Sequence, residues 1–192
     1  MTDFLPSGYE VPASDSNYMR LEKGTNRFRI ITPPILGMEY WKTIDDKRTP
    51  IRKKTGVNIP VDELEINEDT GKPDMPKHFW AMVVWNVKTD KAQILEITQK
   101  RIQKAIRAMS QSEDWGNPTE YDIEIEREGE KFETTYTVRP CPKKKFDEGK
   151  LQMVKDLNIN LDALFESGDP FAGEKLDVDE IDEKLKVFQE KK

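Results

Sequence analysis

"KHFWAMVVWN", residues 77–86, decides how the rest of the chain is read. In an extended segment, Phe79 and Trp85 share one side with Ala81 and Val83, while Trp80 shares the other with Met82. Side chains alternate across a strand, so a stretch apolar on both sides is a central strand or one covered on both faces. The same rings lie behind Lys77 and beside the only histidine, His78. Aromatic rings next to basic charge can instead form a platform on which nucleic-acid bases stack. One set of rings has to be core. At most one of Phe79, Trp80 and Trp85 is then left to reach a base, with Lys77 at its mouth.

Downstream, "KTDK" is a turn and "AQILEIT" a partner strand, so the pair reads as a hairpin. "TQKRIQKAIRAMSQ" switches to a helical period. Thr98 stands at the expected N-cap, and Ile102, Ala105, Ile106 and Met109 form one apolar stripe. Lys100, Arg101, Lys104 and Arg107 lie away from that stripe and read as a solvated face. "DWGNP" stops the helix. "YDIEIERE" and "FETTYTVRP" then alternate around "GEK" as a second hairpin. Tyr121, Ile123 and Ile125 are expected to face inward, as are Phe132, Thr134, Tyr136 and Val138.

Upstream, "NRFRII" alternates Arg27 and Arg29 against Phe28 and Ile30 as a half-buried strand. "TPP" ends it, because proline leaves no ladder donor. "ILGMEYWK" is the next strand. Residues 43–77 show no sustained period and read as a long excursion, the kind of loop that is usually functional. Residues 1–19, rich in Pro, Ser, Asp and Asn, read as a flexible arm with neither the basic nor the apolar region of a secretory leader. The string of elements suits a mainly β fold. It fits a five- or six-stranded oligonucleotide-binding (OB-type) barrel with one helix after the central hairpin. An open α+β sheet fits the same string. The texture changes near residues 146–150, so the expected division is an OB-type domain over 20–146 and an acidic tail over 147–192, partly helical or disordered. Within that tail, Val178, Ile181, Leu185 and Phe188 fall at helical spacing.

Composition narrows the function. The chain has 192 residues, 35% hydrophobic and 35% charged, which gives a modest core and a very polar surface. No apolar run approaches the roughly 18 residues of a membrane span, so no membrane partner is expected. A lone cysteine, Cys141, allows no internal disulfide and suits a reducing cytoplasm. With a single histidine it also cannot build the usual His/Cys zinc site. The net charge of -6 is unevenly placed: residues 1–146 carry 24 basic and 24 acidic side chains, and residues 147–192 carry 7 and 13. The body is therefore neutral, and the low overall isoelectric point does not argue against nucleic acid.

Alternation sets Arg27, Arg29, Trp41 and Arg139 opposite the apolar faces of their strands. An outward tryptophan among outward arginines suits single-strand binding, where each stacked base contributes about 1–3 kcal/mol and cations follow the phosphates. Tyr40, beside Trp41, reads as core, and Lys42 follows on the same strand. "KRTPIRKK" gathers Lys47, Arg48, Arg52, Lys53 and Lys54. It is either a solvated loop or a phosphate-grasping arm with marked salt dependence. Asp122, Glu124 and Glu126 alternate on one strand face, as a metal-dependent nuclease could use them. No further ligand motif converges on them, and a solvent face is the simpler account. "DELEINED" lacks the glycine and spacing of a calcium loop, and no phosphate-binding glycine loop is present. Cys141 and His78 do not make a nucleophilic pair. Neither metal nor cofactor is expected.

Several segments together resemble the single-stranded-DNA-binding proteins of tailed phages, of the helix-destabilising replication type. They are "NYMRLEKGTNRFRIITPPILGMEYW", "KHFWAMVVWN", "QILEITQKRIQKAI" and "WGNPTEYDIEIEREGEKFETTYTV", spanning about residues 17–139. The resemblance implies an oligonucleotide-binding barrel, binding of single strands with little sequence preference, and no enzymatic activity. It also implies an acidic C-terminal tail that recruits replication or recombination proteins and competes with DNA, in a protein acting in the host-cell cytoplasm. The chain departs from the family in two ways. It lacks the Cys and His ligands of the classical T-even member's structural zinc, and it ends "QEKK" rather than on an acidic-aromatic tip. On this reading Arg27, Arg29, Trp41, Lys42, Arg139 and the basic segment form the binding surface. Two rivals stand beside it: a nuclease or recombination enzyme using Asp122, Glu124 and Glu126, and a protein-interaction module whose aromatics are all core.

Overall fold

The computed structural model describes residues 16–68 and 70–172. Among these it has ten strands and two α-helices. In chain order they are β1 (Tyr18–Met19), β2 (Gly24–Ile30), β3 (Ile35–Ile44), β4 (Lys47–Lys54), β5 (Ile66–Asn67), β6 (Lys72–Pro73), β7 (Lys77–Asn86), β8 (Lys91–Ile97), α1 (Lys100–Ser110), β9 (Tyr121–Glu128), β10 (Thr135–Lys143) and α2 (Glu148–Asp156). They divide into two compact units. One holds described residues 16–36 with His78–Phe146, and the other Gly37–Lys77 with residues 147–172.

In the first unit the strands run β1-β8-β7-β2-β9-β10. β7 lies inside this path, as its two apolar faces require. The β7–β8 hairpin closes at Asn86↔Lys91, as the alternation predicts, and the β9–β10 hairpin closes at Thr135↔Glu128, three residues later than a turn at "GEK" would place it. Gly129 turns the second hairpin at φ +76°, where a Cβ would run into the Glu133 carbonyl. One sheet face carries Phe28, Ile30, Met82, Val84, Leu95, Ile97, Ile123 and Ile125, and Ile102, Ile106 and Met109 of α1 close over it as a single buried cluster. Buried Gln103 braces the helix by donating to the His78 and Ile97 carbonyls at 3.0 and 2.8 Å.

Four expectations change here. The sheet is mainly β but open among the described residues, not a closed OB-type barrel, and the path ends on β1 and β10, which are not paired. It is also mixed, because β1 joins β8 in parallel. Tyr18 and Met19, assigned to the flexible arm 1–19, are therefore a strand; the rest of that arm, residues 1–15, lies outside the described residues. The N-cap of α1 is Gln99 rather than Thr98. Phe132, expected to face inward, sits in a one-turn 3₁₀ segment at the hairpin tip and is fully exposed, while Tyr136 and Val138 do pack on the core.

The second unit contains the largest departure from the expected layout. Residues 43–77 are not an unstructured excursion: "KRTPIRKK" is strand β4, paired antiparallel with β3 from Gly37↔Lys54 to Ile44↔Lys47. The link is a two-residue turn, Asp45–Asp46, with φ of 50° and 59°. Two successive left-handed residues are the hairpin turn that matches strand twist, and aspartate is among the few residues that adopt them readily. β5 and β6 form a second, shorter hairpin. The tail expected over 147–192 is structured through residue 172: α2 is capped by Asp147, whose side chain accepts from the Lys150 N–H at 2.8 Å. A 3₁₀ turn follows over Leu161–Glu166, and Val154, Leu161 and Leu164 are buried. The acidic stretch 174–183 and the apolar spacing at Val178, Ile181, Leu185 and Phe188 lie outside the described residues.

Candidate nucleic-acid interface

Residues facing each other across an antiparallel pair point to the same side. The β3–β4 register (Glu39↔Arg52, Trp41↔Pro50, Thr43↔Arg48, Gly37↔Lys54) therefore collects Trp41, Arg48, Arg52 and Lys54 on one face of a ribbon. Lys42, Lys47 and Lys53 fall on the other, with Tyr40 and Ile51. Trp41 is half-buried, and the Arg48 guanidinium carbon lies 5.5 Å from its ring centroid. That is cation–π range. Arg48 also pairs with Asp74 at 3.0 Å, at an exposed position. Tyr40 is buried, as expected, and its hydroxyl donates to Glu63 at 2.9 Å. Burial raises the Tyr40 pKa, reinforced by that bond.

Two further cations of the ribbon are already engaged. Arg52, expected as a phosphate ligand, has an 11% exposed side chain and pairs with buried Glu39 at 3.2 Å. Lys54 lies 3.4 Å from Asp162 and 5.4 Å from the Phe165 ring centroid. Lys42 and Lys53 are half-buried, and Lys47 and Lys77 are exposed. Glu65 accepts the backbone N–H of Thr43 and so holds the ribbon's far end.

The remaining candidates fall in the first unit, and several are corrected. Arg29 is not on an open face. It is 2% exposed, bonds Asp122 at 2.8 Å, donates to the Lys144 carbonyl at 3.0 Å and lies 5.5 Å from the Phe146 ring centroid. Phe79 and Trp85 are buried, so neither reaches a base. The Trp85 indole donates to Asp90 at 3.1 Å and meets Phe146 edge-on. Trp80 is the one ring of the three that remains half-exposed. Arg27 and Arg139 are exposed and lie in one cross-strand row, Arg27↔Glu124↔Arg139.

The carboxylate row of the nuclease reading is occupied by arginines. Asp122 accepts from Arg27 at 2.9 Å and from Arg29, while Glu124 is 3.6 Å from Arg27. Glu126 accepts from Thr25 at 2.6 Å. The hydrogen bond to Asp122 raises the Arg27 pKa, so its charge is secure. Burial pushes the Cys141 thiol up, which disfavours the thiolate a nucleophile needs. Among the described residues no cluster of His, Cys, Asp and Glu is arranged to hold a metal. No helix there is long and apolar enough to cross a membrane.

Sequence reasoning missed Phe146, Asp90, Asp74 and Phe165, and misplaced Phe132. Phe146 ends the run "KKKF", whose charge suggested a boundary rather than a ring over Arg29. The exposure of Phe132 had no sequence signal, since its position continues an apolar alternation. No family model, no curated protein and no solved structure matches the chain.

Proposed function

We propose that this protein binds single-stranded DNA without sequence preference, and is not an enzyme. Its place would be phage replication and recombination in the host-cell cytoplasm, as the resemblance of residues 17–139 implies. The observation that carries the reading is the β3–β4 ribbon: a half-buried Trp41 with Arg48 against its ring, on a strand pair holding six cations, Lys42, Lys47, Arg48, Arg52, Lys53 and Lys54. A base stacks on Trp41. Arg48 and Lys54, on the same face as Trp41, neutralise the flanking phosphates, each exchanging its surface carboxylate for a phosphate, while Lys42, Lys47 and Lys53 on the opposite face add only longer-range positive charge. Such an exchange costs little, because an exposed ion pair contributes only about 0–1 kcal/mol. The acidic C-terminal residues would recruit replication or recombination proteins, and no oligonucleotide-binding barrel is needed for the ribbon to work.

Intrinsic tryptophan fluorescence tests the proposal. Oligo(dT) should quench it at low salt, and added salt should reverse the quenching. Trp41→Ala should weaken binding by about 1–3 kcal/mol, roughly 5- to 150-fold. A chain whose fluorescence and mobility ignore oligo(dT) at low salt is not a single-strand binder.

A further inference from the structure

Helix α1 contains no acidic residue, and its Lys100, Arg101, Lys104 and Arg107 are all exposed. None of the four forms an ion pair with another described residue. Lys100, Lys104 and Arg107 stand at i, i+4 and i+7, one row about 10 Å long. Arg107 forms the edge of a cleft of about 270 Å³, walled by Pro33, Pro34, Trp80 and Met82 and rimmed by Asn117 and Thr119. The cleft is lined wholly by residues of the first unit, and no ribbon residue lines it. Trp80 differs here from Trp85: its indole N–H is buried with no acceptor among the described residues, whereas that of Trp85 is tied to Asp90. An unmade bond of this kind is costly, while the ring itself packs against the buried cluster.

We propose that this cleft is a second nucleotide site, taking one base of a single strand against Trp80 and the two prolines while the α1 row holds the flanking phosphates. Flat apolar walls fit a ring, the amide and hydroxyl rim can meet its polar edge, and the uncompensated cations fit the phosphates. The proposal rests on the single-strand reading above but uses none of the ribbon residues.

Two full-length variants test it, and all four positions lie in the first unit. Lys100→Gln/Lys104→Gln/Arg107→Gln keeps good helix formers at exposed positions, and Trp80→Phe keeps the ring's bulk. Circular dichroism melts confirm folding of both. For oligo(dT), the triple variant should lower the slope of log affinity against log salt by about 2, at roughly 0.7 per phosphate contact. Trp80→Phe should remove part of the fluorescence quenching that persists in Trp41→Phe. Thymidine monophosphate in the same titration separates a free nucleotide from a strand: quenching through Trp80 by either probe supports the site. An unchanged salt slope and unchanged quenching, with Trp41→Ala still weakening binding, would overturn this site and leave the ribbon standing. Loss of oligo(dT) binding in the wild type would remove both. A further outcome sinks the cleft alone: an Asp/Glu-rich peptide with a leucine anchor binds the wild type but not the triple variant, and oligo(dT) affinity is the same for both. The surface would then be a protein dock.

Discussion

Asp122 holds two arginines of unequal standing. Arg27 is largely exposed, so its pair with Asp122 is screened and contributes little. The Arg29 side chain is 3% exposed, and among the described residues its charge is met by this one carboxylate, two backbone carbonyls and the Phe146 ring. Removing one partner of a buried pair strands the other, which typically costs 3–5 kcal/mol. Asp122→Asn should therefore destabilise the protein by about 3 kcal/mol in urea unfolding. Glu124→Gln and Glu126→Gln, at more exposed positions, should each cost under about 1 kcal/mol. Equal, small costs at all three positions would show that the Arg29 pair is not structural. The same asymmetry explains why alternation misplaced Arg29. Period assigns a side to each residue, correctly here, but it does not say whether that side is covered, and the covering ring, Phe146, is far away in sequence.

At the scale of elements, the β3–β4 ribbon depends on its turn. Asp45 and Asp46 both hold positive φ and place two carboxylates at the end of a basic ribbon. Asn-Gly is the preferred pair for such a turn. Replacing Asp45→Asn and Asp46→Gly together should stabilise the protein by roughly 1 kcal/mol, by relieving left-handed strain. It should also tighten oligo(dT) binding at low salt, by removing two negative charges. A melting temperature that falls, or an affinity that drops, would contradict this account of the turn. This element is also where sequence reading failed most. β9, β10 and α1 were legible because their apolar residues repeat with period 2 or 3.6, and β7 and β8 because each is a short apolar run beside a turn. β4 carries five cations, a proline and one isoleucine in eight residues, so it has no apolar period at all. Its strand state comes from ladder bonds to β3 and from the Asp-Asp turn, neither of which a period test detects. Trp41, by contrast, lies on a strand whose alternation could be read, but the face it shares also holds buried Glu39 and the Arg52 paired with it, and the ring is half-buried beside Arg48.

For the whole molecule, the acidic excess is distributed differently from a simple tail. Residues 147–172 carry two lysines and six acidic side chains, whereas residues 173–192 carry five lysines and seven acidic side chains. Most of the negative charge therefore belongs to the segment that contributes buried Val154, Leu161 and Leu164 to the second unit. Each such side chain contributes about 1.5–3 kcal/mol when fully buried. A chain ended at residue 146 should consequently lose several kcal/mol and unfold less cooperatively, and it is a poor probe of regulation by the tail. A chain ended at residue 172 removes a net charge of only -2 and none of those three side chains. It should melt like the full chain and bind oligo(dT) modestly tighter at low salt, with the difference vanishing as salt screens the charge. Identical affinity at every salt concentration would mean that the last twenty residues do not compete with DNA. If the chain ended at 146 melts as cooperatively and at the same temperature as the full protein, residues 147–172 are not part of the second unit's core.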